Sequence, residues 1–96
     1  MKIRAIVKKP GGGCIVRKIS NTKKGMQKLC GGYFDTMDFA DGCVVVFRRI
    51  CENSGLPFNI RLEGKLLCGT VVICGMENGE FVDVSLLLAN SLDEEE

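Results

Sequence analysis

The groups in this 96-residue chain that could do chemistry are six cysteines, a lysine pair beside a glycine run, and arginines and asparagines near its middle. Cys14, Cys30, Cys43, Cys51, Cys68 and Cys74 contain no C-x-x-C pair, and the chain has no histidine, so a structural zinc site lacks its ligand spacing. A disulfide framework belongs to secreted chains. Met1 to Lys9 holds only Ala5-Ile6-Val7 as an apolar run, far short of a signal-peptide core, so a cytoplasmic location is expected. The cysteines are therefore expected to be reduced and used as packing, with Cys43 and Cys74 inside apolar strands.

Lys8-Lys9-Pro10-Gly11-Gly12-Gly13 invites a phosphate reading. A phosphate-binding loop, however, places its lysine after the glycines, at the start of a helix whose N–H groups converge on the anion. Here the lysines come first and a strand follows, so a hairpin turn is expected, one that can still serve as a contact loop for an anionic partner. Nucleophilic catalysis by serine or cysteine calls for a neighbouring base, most often histidine. The carboxylate pairs Asp35/Asp38 and Glu77/Glu80 fall at strand edges and turns, and Glu63 lies in a loop without a companion. No enzyme activity, metal or cofactor is expected. Arg48, Arg49 and Arg61, with Asn53, Asn59 and Tyr33, are the candidate binding residues, offering donors and acceptors for a nucleotide or a peptide backbone. A structural alternative stands beside this: Asn53-Ser54-Gly55 is a turn, Pro57 stiffens it, and Asn59 bonds its own backbone.

The elements that must position these groups follow from local pattern. Lys2 to Val7 alternates as a strand, and Cys14 to Ile19 resumes as its antiparallel hairpin partner. Ser20-Asn21-Thr22 offers N-caps for a short helix to about Cys30, with Met26, Leu29 and Cys30 as its apolar stripe. Gly31 and Gly32 end it. Tyr33 to Phe39 alternates with no purely apolar face, which predicts an edge strand or a bent one. Cys43 to Phe47 and Thr70 to Cys74 read as buried central strands. Glu77-Asn78-Gly79-Glu80 predicts a tight turn. Phe81 to Ser91 fits either a longer strand or a short helix capped by Asp83 or Ser85; strand for Phe81-Val82 and helix from about Ser85 is preferred. The sum is an α+β domain over residues 1–92, a mixed or mostly antiparallel sheet of about five strands with one helix on its face and a short C-terminal helix. Residues 93–96 form an acidic tail.

Composition is that of an ordinary globular domain, 46% hydrophobic and 26% charged, and no apolar run approaches a membrane span. The net charge of +1 hides an asymmetry. Residues 1–49 carry eleven Lys/Arg and three Asp/Glu, whereas residues 50–96 carry two and nine. A basic half attracts phosphates or an acidic protein surface. The preferred reading is instead that the halves interleave in one sheet and their charges pair across it.

Met26-Gln27-Lys28-Leu29-Cys30-Gly31-Gly32-Tyr33, then Leu56-Pro57-Phe58-Asn59, then Gly69-Thr70-Val71-Val72-Ile73-Cys74-Gly75 follow one another in an order with a likeness elsewhere. The chain resembles a family of small uncharacterised domains from bacteria, phages and conjugative elements. In that family a helix ending L-x-G-G-[YI] precedes an N-E-x-G-x-x-x-L-P-x-N loop and an I-x-G-T strand. Cys51-Glu52-Asn53-Ser54-Gly55 is shorter than the family's loop and inverts its Asn-Glu, while Leu56-Pro57 and Asn59 match. The resemblance implies a mobile-element setting rather than a reaction. The expectation is a non-enzymatic protein that binds and blocks a host protein, such as a defence component. The alternative is a binder that sequesters a nucleotide signal, and a weak nucleic-acid accessory role comes third. Self-association through the Tyr33–Phe39 edge or Leu86–Leu88 is a further expectation.

Overall fold

The computed structural model describes residues 1–39, 42–48, 58–62 and 64–92. The elements run β1 (Lys2–Lys8), β2 (Cys14–Ser20), α1 (Lys23–Cys30), β3 (Phe34–Asp38), β4 (Cys43–Arg48), β5 (Phe58–Leu62), β6 (Lys65–Cys68), β7 (Val71–Glu77), β8 (Glu80–Val82) and α2 (Leu86–Leu92). The main sheet is six-stranded, ordered β2-β1-β7-β4-β3 with β8 added to β7, and every strand pair is antiparallel. The expected α+β domain with one helix on the sheet and a short C-terminal helix is present.

Val71-Val72-Ile73-Cys74 of β7 and Cys43 to Phe47 of β4 are buried on both faces, which is why they read as continuous apolar runs rather than alternation. One face packs Ile3, Ala5, Val7, Val44, Val46, Val72 and Cys74 under Met26 and Cys30 of α1. The other packs Ile6, Cys43, Val45, Phe47, Val71 and Ile73 under Leu67 of β6 and Val84, Leu88 and Ala89 at the C-terminal end. Thr22 caps α1, its hydroxyl accepting from the Gly25 amide at 3.0 Å. Gly31 ends the helix in the left-handed region, at φ 88°. Ser85 caps α2, its hydroxyl accepting from the Leu88 amide at 3.0 Å, which decides between the two expected caps. β3 is an edge of the sheet, as its two-sided polarity predicts.

Two features lie beyond the expected strand set. The stretch from Phe58 to Cys68, read in sequence as loop, forms the β5–β6 hairpin, a separate two-stranded sheet laid over the second face. The second is the way β1 and β7 part. They pair only from Ile6/Ile73 to Lys8/Val71, and the β8 turn fills the gap beyond. There the Val84 amide donates to the Arg4 carbonyl at 2.8 Å, and the Arg4 amide donates to Asp83 Oδ1 at 2.7 Å. The Arg4 guanidinium donates to the Val84 carbonyl at 2.9 Å and lies 3.9 Å from Asp83.

Gly75 makes this insertion fit. A Cβ at that position would stand 2.5 Å from the Asp83 carbonyl oxygen and 2.8 Å from a Val82 methyl, so the β8 segment would have to move as backbone. Gly75→Ala is expected to lower unfolding stability by about 1–3 kcal/mol, read as a fall in the urea midpoint. An unchanged midpoint would show that the β7–β8 approach is looser than its geometry.

Candidate functional site

Asn59 is the sequence-predicted site residue whose surroundings the structure defines most fully. The β5–β6 register shifts between Phe58 and Ile60, so Asn59 occupies a bulge, and a bulge re-aims its side chain. The Asn59 amide nitrogen donates to the Lys8 carbonyl at 2.8 Å and the Gly69 carbonyl at 2.7 Å. Its oxygen accepts from Lys8 Nζ at 2.8 Å. Only 8% exposed, Asn59 joins the hairpin to the end of β1. Its amide hydrogens are used in these internal bonds.

Arg48 lies on the other side of the sheet. Its guanidinium rests on the α1 C-terminus, where a Cβ on Gly31 or Gly32 would come within 3.2 Å of it. The Gly-Gly pair therefore serves both the turn and this close approach. The structure does not bring Asn59 and Arg48 together. Arg61 is exposed on β5. Tyr33 is 70% exposed and borders a depression of about 430 Å³ with Lys23, Gln27, Phe34, Asp35 and Thr36. Arg49 and Asn53 lie outside the described residues, as does most of the asparagine loop.

A different surface gathers the charge. A groove of about 640 Å³ runs beside the glycine turn, lined by Val7, Lys9, Ile15 and Arg17 with Gly11, Gly12 and Gly13. Through Lys9 and Arg17 it continues into a second hollow of about 610 Å³ that reaches Lys2, Lys18, Lys28 and Leu29. Among the described residues no carboxylate lines either part. The two halves of the chain do interleave, with β7 between β1 and β4, yet between described residues the charges pair only at Arg4–Asp83. Among the described residues no carboxylate pairs with the cations of the groove, and their like sign concentrates the field there. Sequence reasoning named the lysine–glycine turn as a contact loop but not Arg17 or Lys28. The signal was the eleven-to-three charge imbalance of the first half, which gives no position until β1, β2 and α1 share a face.

The cysteines divide. Cys14, Cys30, Cys43 and Cys74 are thiols, and Cys30, Cys43 and Cys74 are buried. Cys68 is disulfide-bonded, which corrects the expectation that all six are reduced. Sequence spacing carries no information on which cysteines approach within the short Cα distance a disulfide demands; the hairpin's placement decides it. Cys51 lies outside the described residues. Burial pushes the Cys30 thiol up to about 11, against a lowering pull from Arg48. Burial, reinforced by Cys43 and Cys30, pushes Cys74 up to about 12.

The fold is a small, mainly β domain, and among its described residues the basic groove is the surface that gathers charge of one sign. The chain belongs to the family described as Domain of unknown function (DUF3846), whose family model matches residues 1–94. No curated protein and no solved structure matches it. Among the described residues no helix is long and apolar enough to cross a membrane.

Two outcomes test this description. Asn59→Ala leaves the Lys8 and Gly69 carbonyls without their shared donor and is expected to cost about 2–4 kcal/mol, given roughly 1–3 for each buried group left unpaired. Asn59→Asp should not rescue it, because a carboxylate oxygen would then face both carbonyls; equal stability of either variant in urea unfolding would make the clip irrelevant. The second concerns pH. Both raised thiols keep their protons in the folded chain while the unfolded chain loses them, so stability should fall as pH rises from about 9 towards 11. Comparing urea midpoints at about pH 8 and about pH 10 should show a smaller drop in Cys74→Ala than in the parent.

Proposed function

We propose that this protein is a non-catalytic binding protein whose basic groove engages an acidic surface of a partner protein. One observation carries the reading: Lys2, Lys9, Arg17, Lys18 and Lys28 line one continuous hollow with no carboxylate among its described lining residues. Its walls also present Val7, Ile15 and Leu29, and a mixture of apolar floor and cationic rim suits a protein surface. In the mobile-element setting that the family resemblance implies, the partner would be a host protein, a defence component among the candidates, blocked by being held.

The nucleotide alternative drew on Asn59, Arg48, Arg49 and Arg61. Asn59 is bonded internally and Arg48 rests on α1 across the sheet, so these two do not face one pocket, and Arg49 lies outside the described residues. Nucleic-acid binding gains from the cations, but the described residues of the groove lining include no aromatic ring on which a base could stack.

The test pairs the parent with Arg17→Glu/Lys28→Glu, both positions being exposed. A partner identified from host extract and then purified should bind the parent, weaken as salt is raised, and lose at least ~tenfold affinity to the charge-reversed variant. Binding untouched by the reversal would overturn the reading. A rise in melting temperature with a nucleotide would favour the second class, because a ligand held only by the native state stabilises it. Turnover of that nucleotide would overturn the non-catalytic assignment.

A further inference from the structure

We propose that the partner enters as an extended acidic segment that adds as a new strand to the outer edge of β2. This rests on the reading of the groove just given and specifies how the groove is occupied. β2 is a terminal strand of the sheet and pairs with β1 alone among the described residues. Its pairing runs without a register shift from Lys2↔Ser20 to Lys8↔Cys14. Proteins usually blunt such an edge by shortening it, by a bulge or proline, by charge, or by covering it. From Ile15 to Ser20 this edge has no proline and no bulge, and Arg17 and Lys18 protect it by charge.

Charge of one sign is a selective protection. Two copies of β2 paired about a two-fold axis would bring Arg17 and Lys18 of each against those of the other, and like charges on facing strands repel. A carboxylate-bearing strand meets attraction at the same positions. Strand alternation puts Ile15, Arg17 and Ile19 on the groove side, where Ile19 is buried and Ile15 is 48% exposed. An incoming strand therefore finds, two residues apart, an open apolar position and a cation. The complementary segment alternates an apolar residue with a carboxylate on that face. Main-chain hydrogen bonds along the edge would supply affinity, and the Ile15–Arg17 pair the selectivity.

The experiment titrates the full chain with a synthetic peptide matched to β2 in length, bearing valine and glutamate alternately on one face and threonine on the other. Backbone amide resonances are followed, together with the same peptide N-methylated at the amides that would pair. The unmethylated peptide should shift the Ile15–Ser20 amides and slow their hydrogen exchange. N-methylation should weaken binding ~tenfold, and so should Arg17→Glu in the protein, whose retained spectrum reports that it still folds. Equal binding of the methylated peptide, still lost in Arg17→Glu, would overturn strand addition and leave the basic-groove reading standing. No binding of either peptide would also overturn strand addition; no binding of polyglutamate in the same buffer would remove the groove reading with it. Movement of the β2 amides on raising protein concentration alone would make a second copy the occupant and overturn the proposal.

Discussion

The burial of β7 on both of its faces is the constraint from which the rest of the architecture follows. Val72 and Cys74 look one way, Val71 and Ile73 the other, and all four are buried. A strand of this kind cannot sit in a sheet with one wet face, so the chain must supply two covers. On one side the cover is α1, eight residues long and docked by Met26 and Cys30. On the other it is assembled from the β5–β6 hairpin and α2. A helix so short cannot cover a whole sheet face. The end of the sheet where Val7 lies beside Ile15 and the glycine turn stays concave, and the groove is what the short cover leaves.

The second cover has a difficulty the first does not. A hairpin whose strands pair only with one another needs something besides apolar contact to set its position on the sheet. Asn59 provides it, bonding from its bulge to the Lys8 carbonyl of β1 and to the Gly69 carbonyl in the link between β6 and β7. Lys8 closes the arrangement from the sheet side, so a lysine that reads in sequence as the start of a basic turn acts as a donor to a half-buried amide. Once every polar atom in such a network is satisfied it favours one placement over neighbouring ones, which apolar contact alone does poorly. Lys65 adds a weaker tie, its ammonium 5.9 Å from the centroid of the Phe47 ring.

Local pattern made much of the fold legible. The Thr22 cap, the apolar stripe of α1, the Gly31 end, the uncharged runs of β4 and β7 and the Asn78-Gly79 turn each depend on residues within a few positions of one another. The hairpin carried a local signal as well, since Phe58, Ile60 and Leu62 alternate with Asn59 and Arg61. The expectation of an asparagine loop hid it, because Asn59 looked like a polar contact residue when it is an internal one. The insertion of β8 between β1 and β7 had no local signal. It depends on Gly75 meeting Asp83 and on Arg4 meeting Val84, contacts that no periodicity encodes. The groove was illegible for the same reason: Lys9, Arg17 and Lys28 become neighbours only through tertiary placement.

That placement also explains why the charge asymmetry of the chain survives folding. Interleaving the strands would be expected to bring the basic first half against the acidic second half. The contacts that interleave them, however, are made by β1, β4 and β7, whose paired stretches are almost wholly apolar. The charged residues lie on strands, turns and helix positions outside those contacts, so mixing the backbones does not mix the charges. Lys9 and Arg17 belong to one hairpin and Lys28 to the helix that follows it, and all three stay on the α1 side. Glu77 and Glu80 flank the β7–β8 turn, and Asp83 is committed to Arg4 on the opposite side of β7 from β4. Among the described residues, a sheet that joins its strands through apolar contacts thus leaves the cations of β1, β2 and α1 on one side and Glu77, Glu80 and Asp83 around β8.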